Sequence, residues 1–355
     1  MAMNQTIGFC TSRDGTRIAT AVVGKGPPLV RAAHWLSHVE YDVTSPIWLP
    51  WLRLLSTGHR YLRYDQRGCG LSDRAAGDFS LNGVVADLEA VTRPLASRPF
   101  PLIGMSQGGA IAIAFALRYP ERVSRLLLVG AYGRGSYRRP TGQSQRREAE
   151  ALLTLVRVGW GRQNAAFRQV FTSQFIPDGT PQQHRWWTEL EQRTASPETA
   201  AAILEAFYRI DVTELATKLD LPVLVMHSRG DARIPFDEGR LLASLIPGAR
   251  FVPLDSDNHV LLEGEPAWSV FCSELRGFVD AGHGADPVAG FEDLTHAERQ
   301  VLAILAEGHD NATIASRLAK SEKTVRNQVS SILGKTGIGS RAALIVRARE
   351  ALDIG

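Results

Sequence analysis

The stretch Leu102–Ala110, LIGMSQGGA, decides how the first two thirds of this chain fold. An apolar run of strand length stops at a serine with a glycine two residues to either side, Gly104 and Gly108, and a helical pattern, GGAIAIAFALRYP, begins at once. A serine on a sharp strand-to-helix turn stands above the sheet, and the small neighbours leave it room. The amide of Gln107, at the helix start, is then free to donate to a developing negative oxygen. Working outward, PPLVRAA, HRYLRYD, PFPLIGMS, VSRLLLVGA, LPVLVMHS and ARFVPLDS read as further strands, separated by helical stretches such as SLNGVVADLEAVTRPLA. Strand alternating with helix predicts an α/β domain with a mostly parallel sheet covered on both faces, running to about residue 280.

The alternation lapses between Tyr132 and Leu221. The sequence there is helical and rich in aromatics: Trp160, Phe167, Phe171, Phe175, Trp186, Trp187, Phe207 and Tyr208. A helical cap over the sheet, about 133–220, is expected. Its rings either close the cap's own core or also line a ligand pocket, since pockets are mostly apolar. Residues 281–290, AGHGADPVAG, lack apolar periodicity and read as a linker to a small domain at 291–355.

A serine needs a base to become a nucleophile near neutral pH, and the base needs an orienting carboxylate. Asp231, just past the strand LPVLVMHS, and His259, just past ARFVPL, follow Ser106 in the chain. Both sit at loop ends where a parallel sheet gathers its functional groups. His34 and His227 read as supporting or packing residues. Cys10, Cys69 and Cys272 are too few and too far apart for a metal or disulfide framework, and no metal or cofactor is expected. The start, MAMNQTIGFCTSRDG, has no signal-peptide core, and no run approaches the roughly 18 apolar residues of a membrane span, so a cytoplasmic protein without membrane attachment is expected.

The serine turn, the order Ser106, Asp231, His259, the run YDQRGCGLSD (64–73) and the EGEP after His259 together resemble the α/β-hydrolase superfamily over the first 280 residues. The resemblance implies Ser106 as nucleophile, His259 as general base and Asp231 as its partner. Members of that family usually carry His-Gly after the strand that supplies the second oxyanion donor. Here RAAHWLSH puts Ala33 and His34 at that point, which leaves the amide of Trp35 as the candidate donor beside that of Gln107. VRAAHWLSHVEYD and RYDQRGCGLSD also resemble a subgroup of hydrolase-like domains fused to signalling or DNA-binding outputs.

Net charge over the 355 residues is only +3, but the basic residues are unevenly placed. Between Asn311 and Arg349 eight Lys and Arg face a single acid, Glu322, which makes the segment roughly +7. Thr295 and Glu298 form a T-x-x-E capping box, and Gly308 ends the helix that follows. Asn311 is the expected cap of a second helix carrying Ile314, Ala315 and Leu318. Ser321 caps a third, with Val325, Val329, Ile332 and Leu333 inward, after a turn at Ala319 and Lys320. The spacing predicts a helix-turn-helix.

LTxxE, the Asn-x-x-Ile-Ala run, SEKTVRN and SRAALI, in that order over about 60 residues, resemble the LuxR-type C-terminal domain, a small all-α four-helix module; Gln328 stands where that family commonly has His. The resemblance implies base reading by Arg326, Asn327 and Ser330, and backbone positioning by Lys323, Thr324, Lys335 and Arg341. The fourth helix would offer Leu344, Ile345 and Ala348 to a second copy, giving a homodimer on double-stranded DNA. The expected function is a ligand-responsive transcription regulator whose serine hydrolase half, esterase- or lactonase-like, senses and cleaves a small molecule. The alternatives are a regulator with a non-catalytic receptor half, or a hydrolase whose tail serves assembly.

Overall fold

The computed structural model describes residues 3–35, 37–75, 77–95, 98–140, 143–162, 165–281, 291 and 294–352. The chain divides into two compact units, Met1–Leu275 and Arg276–Gly355. All of the expected linker but Ala281 lies outside the described residues.

The first unit begins with β1 (Gln5–Thr11) and β2 (Arg17–Val23), an antiparallel hairpin absent from the sequence expectation. Its signal was Asp14-Gly15: Gly15 takes φ +89° in the turn, and such a pair between two alternating runs is a hairpin mark. Then come β3 (Pro28–Arg31), α1 (Trp48–Ser56), β4 (Arg60–Tyr64), α2 (Leu81–Thr92), β5 (Phe100–Met105), α3 (Gly108–Arg118) and β6 (Val123–Val129). Four helices follow where the cap is expected: α4 (Gln143–Gly159), α5 (Ala165–Phe175), α6 (Pro181–Thr194) and α7 (Pro197–Tyr208). The short α8 (Thr213–Ala216) leads back to β7 (Val223–Ser228), α9 (Phe236–Leu245), β8 (Arg250–Leu254) and α10 (Pro266–Asp280). The eight strands lie in the order β1-β2-β4-β3-β5-β6-β7-β8, parallel from β4 through β8. Every residue of β5 and of β7 is buried, as strands covered on both faces require. The strand expectations at β3 to β8 agree with this sheet.

The second unit holds α11 (His296–Ala306), α12 (Asn311–Arg317), α13 (Glu322–Thr336) and α14 (Arg341–Leu352). Thr295 and Glu298 make the expected capping box, and Ser321 caps α13 by accepting from the Thr324 amide at 3.1 Å. The cap of α12 is Asp310 rather than Asn311: the Asp310 carboxylate accepts from the Thr313 amide at 2.8 Å. Asn311 instead accepts at its Oδ1 from Arg341, at 2.7 Å. The turn between α12 and α13 places Ala319 at φ +49°.

A second correction concerns α14. Leu344 and Ala348 are fully buried in the unit's own core with Val301, Leu305, Ile314, Val325 and Ile332, and Ile345 packs against that core. Leu344 and Ala348 are therefore not available to a second copy, and Ile345 is only partly so. A four-helix module this small needs one face of each helix to close its core, and α14 has no other apolar stripe of that size to offer.

Glu298 also ties α11 to α13. Its carboxylate accepts from Lys335 Nζ and Ser331 Oγ, each at 2.7 Å, and from the Thr295 amide. Lys335 first, then Ser331 and Thr295, hold its carboxyl down at about 2, against an ordinary 4.5. A carboxyl lowered by folding stabilises above its unfolded pKa and ceases to as it becomes protonated. The helical unit is therefore expected to lose stability as pH falls from about 4.5 toward 2. Glu298→Gln should flatten that window, read by amide hydrogen exchange of α11 and α13 against pH.

Candidate functional site

The turn after β5 puts Ser106 at φ +52°, a left-handed conformation that non-glycine residues rarely adopt. The surroundings enforce it. A Cβ on Gly104 would lie 2.8 Å from Gly109 Cα, and one on Gly108 would lie 2.8 Å from the Ala33 carbonyl oxygen, so any larger residue would force strand, helix and β3 loop apart. The Ser106 amide donates to Val129 O at 3.0 Å, which ties the turn to the end of β6.

The partners arrive from the ends of the next two strands. Past β7, Asp231 Oδ1 accepts from the amides of Arg233 and Ile234, both at 2.8 Å, which fixes the carboxylate. Its Oδ2 lies 2.6 Å from His259 Nδ1 and 3.4 Å from His227 Nε2. Burial works to raise the Asp231 carboxyl, but the His259 charge and the hydrogen bonds of both histidines outweigh it and hold the group well below the ordinary carboxylate range.

Past β8, the His259 loop is clamped by Glu265 of the EGEP run: Leu262 N and Ser256 Oγ donate to it at 2.5 Å each, and Asn258 Nδ2 at 3.2 Å. Trp51 Nε1 holds the same loop through Leu261 O at 2.9 Å, and the Val260 amide donates to Phe175 O in the cap at 3.0 Å. His259 is 3% exposed, and its Nε2 is buried with no hydrogen-bond partner among the described residues.

Ser106 and His259 both border the end of β6, at Val129 and Gly130. The serine amide bonds to the first, and a Cβ on Gly130 would stand 3.1 Å from His259 Cε1. No hydrogen bond joins Ser106 Oγ to His259 among the described residues. The Gln107 amide, at the cap position of α3, is one of the helix's unsatisfied donors. The Gln107 side chain is pinned by Nε2 donating to Gln66 Oε1 at 2.6 Å, which ties the turn to the YDQRGCGLSD run. In that run Arg67 makes two buried bonds to Asp87, at 2.6 and 2.7 Å, a framework role.

Trp35 follows His34, whose Nδ1 lies 2.7 Å from Trp35 O. Burial, with Arg31 nearby, pushes the His34 pKa well down, so its ring is neutral and Nδ1 carries the proton. His227 turns Nε2 toward Ile234 O at 3.0 Å as well as toward Asp231, consistent with a supporting role.

The cap aromatics pack on one another, as the first of the two readings expects. Trp160 packs on Trp35 at 5.1 Å and Phe171 on Trp160 at 5.9 Å, while Phe175 contacts Trp35, Trp187 and His259 at 5.8, 4.9 and 5.7 Å. One ring cluster closes the cap core and forms the roof over the imidazole. Sequence reasoning missed Arg233, whose guanidinium lies between Trp35, Phe175 and Tyr208, and missed Glu265 as the clamp of the histidine loop.

On α13, Lys323, Thr324, Arg326, Asn327 and Ser330 are all exposed on the side opposite Val325, Val329 and Ile332. Lys335 and Arg341 are engaged inside the module, the first with Glu298 and the second with Asn311 Oδ1 and His309 O, each at 2.7 Å. Gln328 Oε1 accepts from Lys320 Nζ at 3.3 Å. Among the described residues no helix is long and apolar enough to cross a membrane.

Comparison with known proteins agrees with both halves. The chain is 26% identical over 267 residues to the pyrrolizixenacetamide deacetylase of Xenorhabdus hominickii, covering 74% of this chain and 94% of that one. It is 27% identical over 295 residues to the non-heme chloroperoxidase of Streptomyces lividans, covering 77% and 99%. An esterase structure from Exiguobacterium antarcticum superposes with a TM-score of 0.65 at 25% identity, over 77% of this chain and 98% of that one. Residues 292–348 match the bacterial regulatory proteins of the luxR family. Residues 44–266, more than half of the chain, match the alpha/beta hydrolase fold family, to which this protein belongs, and it carries a LuxR-type DNA-binding domain behind that fold.

Proposed function

We propose that this protein is a ligand-responsive transcription regulator whose hydrolase half cleaves a small ester or lactone. The observation that carries the catalytic part is the state of His259: Asp231 holds Nδ1, and Nε2 is buried with no hydrogen-bond partner among the described residues. A general base in that tautomer is ready to take a proton. In the proposed reaction Ser106 Oγ attacks the carbonyl carbon while its proton passes to His259 Nε2. The oxyanion takes hydrogen bonds from the amides of Trp35 and Gln107. The carbonyl–oxygen bond to the alcohol then breaks, and His259 returns the proton to the leaving oxygen. Water, deprotonated by His259, cleaves the acyl-serine and restores Ser106. Hydrolytic relatives such as the deacetylase support this reaction class.

In the DNA-binding half, Arg326, Asn327 and Ser330 read base edges while Lys323 and Thr324 hold phosphates. Lys335 and Arg341 are proposed to contact the DNA backbone as well, beside the bonds they make within the module. A homodimer on two half-sites is proposed because one small reader supplies few contacts. The 281–290 linker joins the halves, and the cytoplasm, where DNA is reached, is the working compartment.

The receptor reading keeps one observation in its favour, the missing hydrogen bond between Ser106 and His259, although such bonds are often long before substrate binds. Turnover decides between them. Hydrolysis of p-nitrophenyl esters of graded chain length that disappears in Ser106→Ala supports catalysis, and equal signals from both proteins remove it. Regulation is read separately: DNA affinity that does not change at saturating ester would remove ligand response.

Gly130→Ala gives a sharper geometric test. Its Cβ would press on His259 Cε1 from a backbone at φ +55°. A misplacement of the order of 1 Å can cost about 100-fold, so kcat should fall by about that factor. An unchanged kcat would mean that the imbedded ring does not act where proposed.

A further inference from the structure

Arg233 is a half-buried guanidinium that forms no ion pair among the described residues. Its backbone amide serves Asp231, but among the described residues its side chain makes no hydrogen bond and no ion pair. Its Cζ lies 5.9 Å from the Trp35 ring, 5.7 Å from Phe175 and 5.8 Å from Tyr208. The neighbouring arginines are otherwise disposed. Arg134 bonds Glu238 at 2.8 Å, and Arg139 donates to Arg134 O and lies 3.9 Å from the same Glu238. Arg233 instead lines a cavity of about 280 Å³ together with Arg139, Gln174, Tyr208 and the exposed Glu148, so that two guanidinium groups face one carboxylate there. The buried Tyr208 hydroxyl has no hydrogen-bond partner among the described residues.

Aromatic faces hold a cation in place but accept none of its N–H donors, so the planar fork remains available to an oxygen anion. The position is close to the reacting centre. Both groups contact Phe175, which lies 5.7 Å from Arg233 Cζ and 5.7 Å from the His259 ring. Trp35 brings its ring to Arg233 and its amide to the proposed oxyanion site.

We propose that Arg233 binds a carboxylate of the substrate, with Tyr208 as a second donor, so that the hydrolase half selects esters or lactones bearing a free acid a few carbons from the scissile carbonyl. The proposal rests on the proposed reading that the ligand binds at Ser106, but not on turnover.

The test is therefore one of binding, in full-length Ser106→Ala. Monomethyl esters of the straight-chain dicarboxylic acids with four to eight carbons are titrated calorimetrically beside their uncharged dimethyl esters. At least one monoanion is expected to bind 10-fold or more tightly than its dimethyl ester. Adding Arg233→Gln should remove that advantage and leave the dimethyl ester's affinity within 2-fold, which also shows that the pocket is intact; Arg233→Lys should restore part of it. Equal affinity for monoanion and diester, equal loss of both in Arg233→Gln, or no binding by any of the ten compounds would overturn the proposal. Failure of the catalytic reading looks different: anion-selective binding in Ser106→Ala together with no ester turnover by the unmodified protein would remove hydrolysis and leave the carboxylate site standing.

Discussion

Ser106→Ala is expected to lower kcat on any ester that the protein turns over by roughly 10⁴- to 10⁶-fold, the range for removing a nucleophile from a unit of interdependent groups. The residue that remains reflects binding and the oxyanion donors alone. The same substitution leaves the strained backbone in place, because Ala at φ +52° is no more comfortable than Ser. Ser106→Gly separates the two effects. It should be equally inactive yet more stable by about 1 kcal/mol, since glycine adopts the left-handed region freely while other residues pay about 1–3 kcal/mol there. Steady-state kinetics and thermal melts of the three proteins read this directly. Equal activity in Ser106→Ala and the unmodified protein would exclude the serine. A glycine variant no more stable than the alanine variant would mean that the turn is not where the strain is stored.

Arg326→Ala and Lys323→Ala should differ in kind. Both side chains are exposed on α13, but the first is assigned to base edges and the second to phosphate. Losing a bidentate contact to a base costs about 1–3 kcal/mol and relaxes the preference at one position of the site. Losing a phosphate contact weakens binding to all sequences alike and reduces the slope of log K against log salt by about 1. Fluorescence anisotropy on the preferred duplex and on single-base variants, at several salt concentrations, distinguishes them. Identical behaviour of the two variants would contradict the division of labour on that helix.

Much of this was legible in the residues because the decisive features are local. The serine turn depends on two glycines within two positions of Ser106, and the capping boxes on residues three apart. The strands β5 and β7 are mostly apolar runs, as strands buried on both faces of a parallel sheet demand. What stayed hidden depends on tertiary placement. β1, at the sheet's edge, has no fully buried residue and exposes Phe9, so burial of an apolar run does not mark it. Asp310 and Asn311 are both good caps, and only the backbone geometry assigns the role to Asp310. Leu344, Ile345 and Ala348 have the look of a pairing stripe, yet the same stripe is what a four-helix core needs. Arg233 is one arginine among many in composition, and its significance lies in three rings drawn from Trp35, Phe175 and Tyr208, far apart in the chain. Glu265 belongs to the EGEP run, but its hold on the histidine loop is visible only through its three bonds.

The central claim, that a hydrolase-fold sensor here commands a sequence-reading helix, is tested most directly by selecting from a random duplex pool with the full-length protein at moderate salt and sequencing what is retained. A recurrent motif, enriched by the unmodified protein and lost with Arg326→Ala, is the expected result. A retained pool indistinguishable in sequence from the input would contradict it, whatever the serine proves able to hydrolyse.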